Sequence, residues 1–130
     1  MAQPLTGVSA ITLFVDDLRA AREFYGRAFG LSVAYEDANS AVFNFGNTLV
    51  NLLQTTEAPA LIGPASVADE SAGARAQMTI TVDDVDAVYA VYAELSARGV
   101  KFINGPMNRP WGVRTACFAD PSGHIWEIAH

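Results

Sequence analysis

The sequence predicts an α+β domain built from two tandem βαβββ modules, and three observations carry that prediction. An eight-residue segment recurs at an offset of 67 residues, counted from Ile11 to Met78. Each copy is followed by apolar residues at helical spacing, and each helix by short strand-like runs separated by turn residues. At 130 residues, 51% hydrophobic and 17% charged, the chain has the size and apolar content of one folded domain. That domain divides into a first module over 8–54, a linker over 55–76 and a second module over 77–130.

The first strand is read over 10–15 and its counterpart over 77–82, both rich in β-branched and aromatic types that pack well on a pleated surface. The repeat lays Ile11-Thr12-Leu13-Phe14-Val15-Asp16-Asp17-Leu18 over Met78-Thr79-Ile80-Thr81-Val82-Asp83-Asp84-Val85, with four of eight positions identical. The register continues, pairing Ala20 with Ala87 and Tyr25 with Tyr92. Such self-similarity signals a duplicated supersecondary unit. Asp16-Asp17 and Asp83-Asp84 close the strands and offer side-chain oxygens to the free amides of a helix start. Leu18, Ala21, Tyr25 and Ala28 then form one helical stripe, and Val85, Val88, Tyr92 and Leu95 the other. Gly30 and Gly99 stand where a left-handed terminating residue is wanted.

Further strands are read over 31–36, 40–45 and 48–54, divided by Asp37-Ala38-Asn39 and Gly46-Asn47, both good turn chemistry. In the second module the same parts fall on 101–104, 115–119 and 125–129, with 105–112 as a loop and Asp120-Pro121-Ser122-Gly123 as the last hairpin. The linker, with Pro59, Gly63, Pro64 and Gly73, is longer than the roughly 15 residues usual for a compact domain. It either covers part of a pocket or is disordered.

Net charge is −6, with 14 acidic and 8 basic residues and no basic cluster, which argues against nucleic-acid binding. No apolar run approaches a spanning helix and the start lacks a signal-like pattern, so a cytoplasmic protein with no membrane partner is expected. The single cysteine, Cys117, sits in an apolar run as a packed thiol rather than a nucleophile.

The tandem repeat, the Phe24-Tyr25 and Phe29-Gly30-Leu31 elements of the first helix and the closing Asp120-Pro121-Ser122-Gly123-His124-Ile125-Trp126-Glu127-Ile128 resemble the vicinal oxygen chelate superfamily. That superfamily unites glyoxalase I, bleomycin-resistance proteins and extradiol dioxygenases. The resemblance implies sheets curled around a cleft and pairing of modules, from one chain or two, with a homodimer expected. It also implies four metal-ligand positions, which fall here on Ala10, Asn51, Gln77 and Glu127. Histidine or carboxylate is usual there. A divalent transition metal wants about three strong imidazole, thiolate or carboxylate ligands, and only Glu127 qualifies, so no metal and no other cofactor is expected.

Residues two apart on a strand share a face. Ala10, Thr12 and Phe14, then Leu49, Asn51 and Leu53, then Gln77, Thr79 and Thr81, and finally Ile125 and Glu127 are therefore assigned to the cleft. Ile11-Leu13-Val15 and Met78-Ile80-Val82 go beneath the helices, and Trp126 is placed with them. The expected ligand-binding set is Phe14, Phe43, Phe45, Asn51, Gln77, Trp111, Arg114 and Glu127. Trp111 either stacks on a flat ligand or plugs the core or a dimer contact. Arg109 and Arg114 flank it and either meet an anionic or carbonyl-bearing ligand or are solvated. Glu127 either accepts hydrogen bonds or, desolvated, acts as a catalytic acid or base. The favoured reading is a protein that binds a small aromatic or antibiotic-like molecule without a catalytic metal. The alternative is a lyase or isomerase of glyoxalase type, metal-dependent or metal-free, that uses Glu127. A structural role without a ligand is the third.

Overall fold

The structure, a computed structural model, describes residues 3–130. The first module runs β1 (Ala10–Val15), α1 (Leu18–Phe29), β2 (Val33–Glu36), β3 (Ser40–Asn44) and β4 (Leu49–Gln54). A connection containing the short helix α2 (Ala58–Ile62) leads to β5 (Gln77–Thr81), α3 (Val85–Ala97), β6 (Phe102–Asn108), β7 (Arg114–Ala119) and β8 (Ile125–Ala129). Each module forms one four-stranded mixed sheet, ordered β1-β4-β3-β2 and β5-β8-β7-β6. In each, the first strand pairs in parallel with the last and the others pair antiparallel. A parallel pair needs a long crossover, and the helix with its two following strands supplies it. The fold class is therefore the one the repeat predicts.

One aspartate of each pair caps its helix. Asp17 accepts the Ala20 amide at 3.0 Å and Asp84 the Ala87 amide at 2.7 Å. Asp16 has a different partner: its carboxylate accepts the Thr55 hydroxyl at 2.8 Å, while Gln54 donates to its backbone carbonyl and accepts the Leu18 amide. These bonds fasten the end of β4 to the start of α1. At the far end Gly30 takes φ 67°, a left-handed conformation that costs a glycine little.

The two modules share one core. Leu13, Val15, Phe43, Val50 and Leu52 of the first sheet cluster with Phe118, Trp126 and Ile128 of the second, around Phe24, Tyr25 and Ala28 of α1. Tyr25 is fully buried, its ring 6.0 Å from those of both Phe43 and Trp126. Its hydroxyl donates to Asp120 Oδ2 at 2.6 Å and accepts Trp126 Nε1–H at 2.9 Å. Burying these groups unpaired would cost about 1–3 kcal/mol each, so this chain of bonds fixes how the modules meet. Arg98 adds a second tie by donating to the Ala28 carbonyl at 2.9 Å, near the end of α1.

One open alternative is narrowed and two expectations are corrected. Of the two readings of the linker, the structure has an ordered course: Thr55–Glu57 and Glu70–Ala72 form 3-10 turns on either side of α2, whose alanines and leucine favour a helix and whose Pro59 occupies its first turn. Half of the expected 105–112 loop is strand, because β6 continues to Asn108. Pro106 is tolerated there because β6 is an edge strand with an irregular register. Finally, Phe43 and Phe45 face the core. Phe43 pairs with buried Val50 and is itself fully buried. Phe45 stacks on Trp126 at 5.3 Å. Phe43 is not available to a ligand in the cleft, and two-residue parity along β3 and β4 puts it opposite Asn51; Phe45, just past the end of β3, is half-buried against the core.

Candidate functional site

With the core faces of both sheets turned toward α1, the opposite faces carry the polar residues. On the first sheet Thr12 and Asn51 are register partners, and the Asn51 amide nitrogen lies 3.5 Å from the Thr12 hydroxyl. The Asn51 Oδ1 atom is buried with no hydrogen-bond partner among the described residues. Rotating the amide by half a turn would only exchange which of its two atoms is orphaned. Ala10 is exposed at the start of β1 and Phe14 is partly buried near its end.

On the second sheet Gln77, Thr79 and Thr81 are exposed and alternate with half-buried Met78 and Ile80. Thr79 pairs with Glu127 and its hydroxyl donates to Glu127 Oε1 at 2.9 Å. Cys117 lies beside Glu127 on β7. Burial, reinforced by the Glu127 charge, pushes its thiol above the ordinary range, so it is a packed group and a poor nucleophile. Arg109 donates to the Thr115 hydroxyl at 2.8 Å. Trp111 is 71% exposed between β6 and β7. Arg114 departs from expectation: it shares a face with Ala116 and buried Phe118, lies 5.0 Å over the Tyr89 ring of α3 and donates to Asn108 at 2.9 Å. It braces α3 and does not belong to the Glu127 face.

The four positions that the resemblance implies for a metal fall in two pairs on neighbouring strands, each pair two residues out of register: Ala10 and Asn51 on one sheet, Gln77 and Glu127 on the other. Both sheets turn their other faces into one common core, so the pairs point away from it, and one chain alone does not aim all four at a single cavity. Strand parity was legible in the sequence. The insertion of α1 between both core faces was not, because it depends on the long-range Tyr25–Asp120 and Tyr25–Trp126 contacts. The donor chemistry does not suit a transition ion either. Ala10 has no donor atom, Asn51 and Gln77 offer only amide groups, and the one carboxylate already accepts a hydrogen bond from Thr79.

The profile of the Glyoxalase/Bleomycin resistance protein/Dioxygenase superfamily matches residues 7–128. The chain belongs to this superfamily. Among solved structures, a glyoxalase/bleomycin resistance protein/dioxygenase from Nocardioides is 24% identical with a TM-score of 0.87, covering 99% of this chain and 84% of that one. A glyoxalase-related enzyme from Fulvimarina pelagi is 26% identical, TM-score 0.83, covering 96% and 88%. A lactoylglutathione lyase from Agrobacterium tumefaciens is 23% identical, TM-score 0.74, covering 97% and 94%. A search of curated proteins finds no match. Thr12 and Thr79, which strand parity assigns to the cleft but the expected binding set omits, carry the hydroxyls that partner Asn51 and Glu127.

Proposed function

We propose that this member of the glyoxalase/bleomycin-resistance superfamily binds a small aromatic or antibiotic-like molecule without a catalytic metal, in a cleft that two copies of the chain complete. The observation that carries the reading is the orphaned amide of Asn51. A buried acceptor without a donor costs about 1–3 kcal/mol, so a fold that keeps one calls for a reason, and a donor brought by a bound molecule supplies one here. Pairing two copies would set Thr12 and Asn51 of one against Gln77, Thr79 and Glu127 of the other. The result is a semi-polar wall with few convergent hydrogen-bonding groups, the usual character of a small-molecule site. Trp111 offers an exposed ring for stacking on a flat ligand. Glu127 then acts as a hydrogen-bond acceptor that orients the ligand, not as a base.

Asn51→Leu tests the reading because it separates binding from folding. Leucine is close in size and has no polar atom to orphan, so the variant should match or exceed the parent in urea denaturation. In a thermal-shift screen of aromatic and antibiotic-like compounds, ligands that stabilise the parent should stabilise the variant much less. Equal ligand-induced shifts in both proteins would remove Asn51 from the site and the reading with it.

A further inference from the structure

Of the two arginines that flank Trp111, Arg109 is the one that reaches the Glu127 face. Thr115 is 1% exposed, and its hydroxyl accepts Arg109 Nε–H at 2.8 Å. Thr115 lies two residues from Cys117, the register partner of Glu127, so all three side chains leave the second sheet on the same side. The guanidinium of Arg109 therefore lies over that side.

The turn that holds Arg109 follows from its residues. Arg109-Pro110-Trp111-Gly112 puts a proline second, where its fixed φ suits a turn, and ends on Gly112 at φ 98°, which a glycine adopts freely. The Gly112 amide donates to the Arg109 carbonyl at 3.0 Å, and the Arg109 amide donates to the Val113 carbonyl at 2.7 Å. Arg109 is thus pinned through both its backbone and its side chain, with the exposed Trp111 ring carried on the same turn.

What Arg109 lacks is a partner for the end of its fork. Arg98, Arg109 and Arg114 are the half-buried arginines. The terminal nitrogens of Arg98 donate to the Ala28 carbonyl and to Glu94, and those of Arg114 to Tyr89 and Asn108. The Arg109 side chain donates through Nε alone, and its terminal nitrogens have no acceptor among the described residues. Glu127 does not serve as one: it accepts from Thr79 on β5, the neighbour of β8 on the side away from β7, and forms no ion pair with Arg109. The Cys117 thiol senses both charges, since burial raises it most, Glu127 adds to that and Arg109 opposes it. An open guanidinium fork matches a carboxylate, whose oxygens can accept two parallel N–H bonds, whereas Glu127 calls for a donor. The net charge of −6 does not decide the matter locally, because exposed charges more than about 10 Å away are screened at 0.1 M salt.

We propose that the ligand of this cleft is a small aromatic carboxylate, its acid group held by the terminal nitrogens of Arg109, one of its own N–H or O–H groups donated to Glu127, and its ring set against Trp111. This rests on the reading that the Glu127 face is one wall of the ligand cleft, and adds to it the charge of the ligand and the residue that selects it.

Meta-aminobenzoate, with meta-aminobenzamide as its uncharged match, tests it on the full chain by calorimetric titration. Both compounds carry the ring and an amine donor, and they differ in the anionic group alone. The parent should bind the acid at least about tenfold more tightly than the amide. Arg109→Gln should erase that preference, weakening the acid about tenfold and leaving the amide within about twofold. Arg19→Gln, the same loss of charge on an exposed residue of α1, should keep it. The acid-to-amide ratio in the parent needs no variant, so the test stays decisive even if Arg109→Gln unfolds. No saturable binding of the acid, equal affinity for the two compounds in the parent, or a preference that survives in Arg109→Gln would overturn the proposal. Asn51→Leu tells the two readings apart. If it weakens both compounds while the parent shows no preference for the acid, the cleft stands and the carboxylate does not. If it weakens neither while the Arg109-dependent preference is present, the carboxylate site stands and the Asn51 reading falls.

Discussion

At the scale of single residues, the most demanding position is Asp120, where one buried carboxylate serves Tyr25, His124 and two backbone amides. Asp120→Asn places an NH2 group where an acceptor is needed, and urea denaturation should show a loss of about 2–3 kcal/mol. The pH dependence has a fixed sign. A carboxyl held below its unfolded value contributes stability that is complete above that value, about 3.9 for Asp, and is lost as pH falls through the lower, folded value. The parent should therefore lose stability on acidification from about pH 5 downward, and Asp120→Asn should lose less of it over the same window. An unchanged acid slope would show that Asp120 is not the group responsible. None of this was legible beyond the hairpin, because a DPSG turn reads alike whether its aspartate is solvated or reaches a tyrosine 95 residues away. Trp111 is the opposite case. At 71% exposure, Trp111→Ala should change folding stability by no more than about 0.5 kcal/mol while weakening ligand binding. A collapse in Tm would identify it as a packing residue instead.

The elements repay comparison between the two copies. The aspartate pairs announce both helix starts, yet it is Asp17 and Asp84 whose side chains accept the capping amides. Asp17→Ala and Asp84→Ala should each cost about 1 kcal/mol in Tm-derived stability, and Asp83→Ala clearly less. Equal effects across Asp83 and Asp84 would contradict the observed caps. Strand locations in the first module were readable because alternation and turn residues agree. Those of β6 were not, since Gly105 and Pro106 carry loop chemistry that an irregular edge strand accommodates. The faces of β3 show the limit of parity: the pattern puts Phe43 and Phe45 together, but only the register against Val50 says which side is the core. The same limit holds for Arg114, whose position beside Tyr89 follows from sharing a strand face with buried Phe118.

For the whole molecule, the repeat and the closing motif made the tandem architecture legible, while the way the modules sit on each other was written only in contacts far apart in sequence. Helix α1 lies between both core faces, so the polar faces of the two sheets look outward and a single chain leaves its candidate cleft in halves. The proposal follows from that geometry together with a donor set too poor to grip a transition ion. Native mass spectrometry of the purified protein, paired with elemental analysis, tests both parts at once. The account predicts a dimer that accepts a small organic ligand and carries far less than one transition-metal ion per chain. A monomer that retains ligand, or stoichiometric zinc, nickel, manganese or iron released by Glu127→Ala, would contradict it.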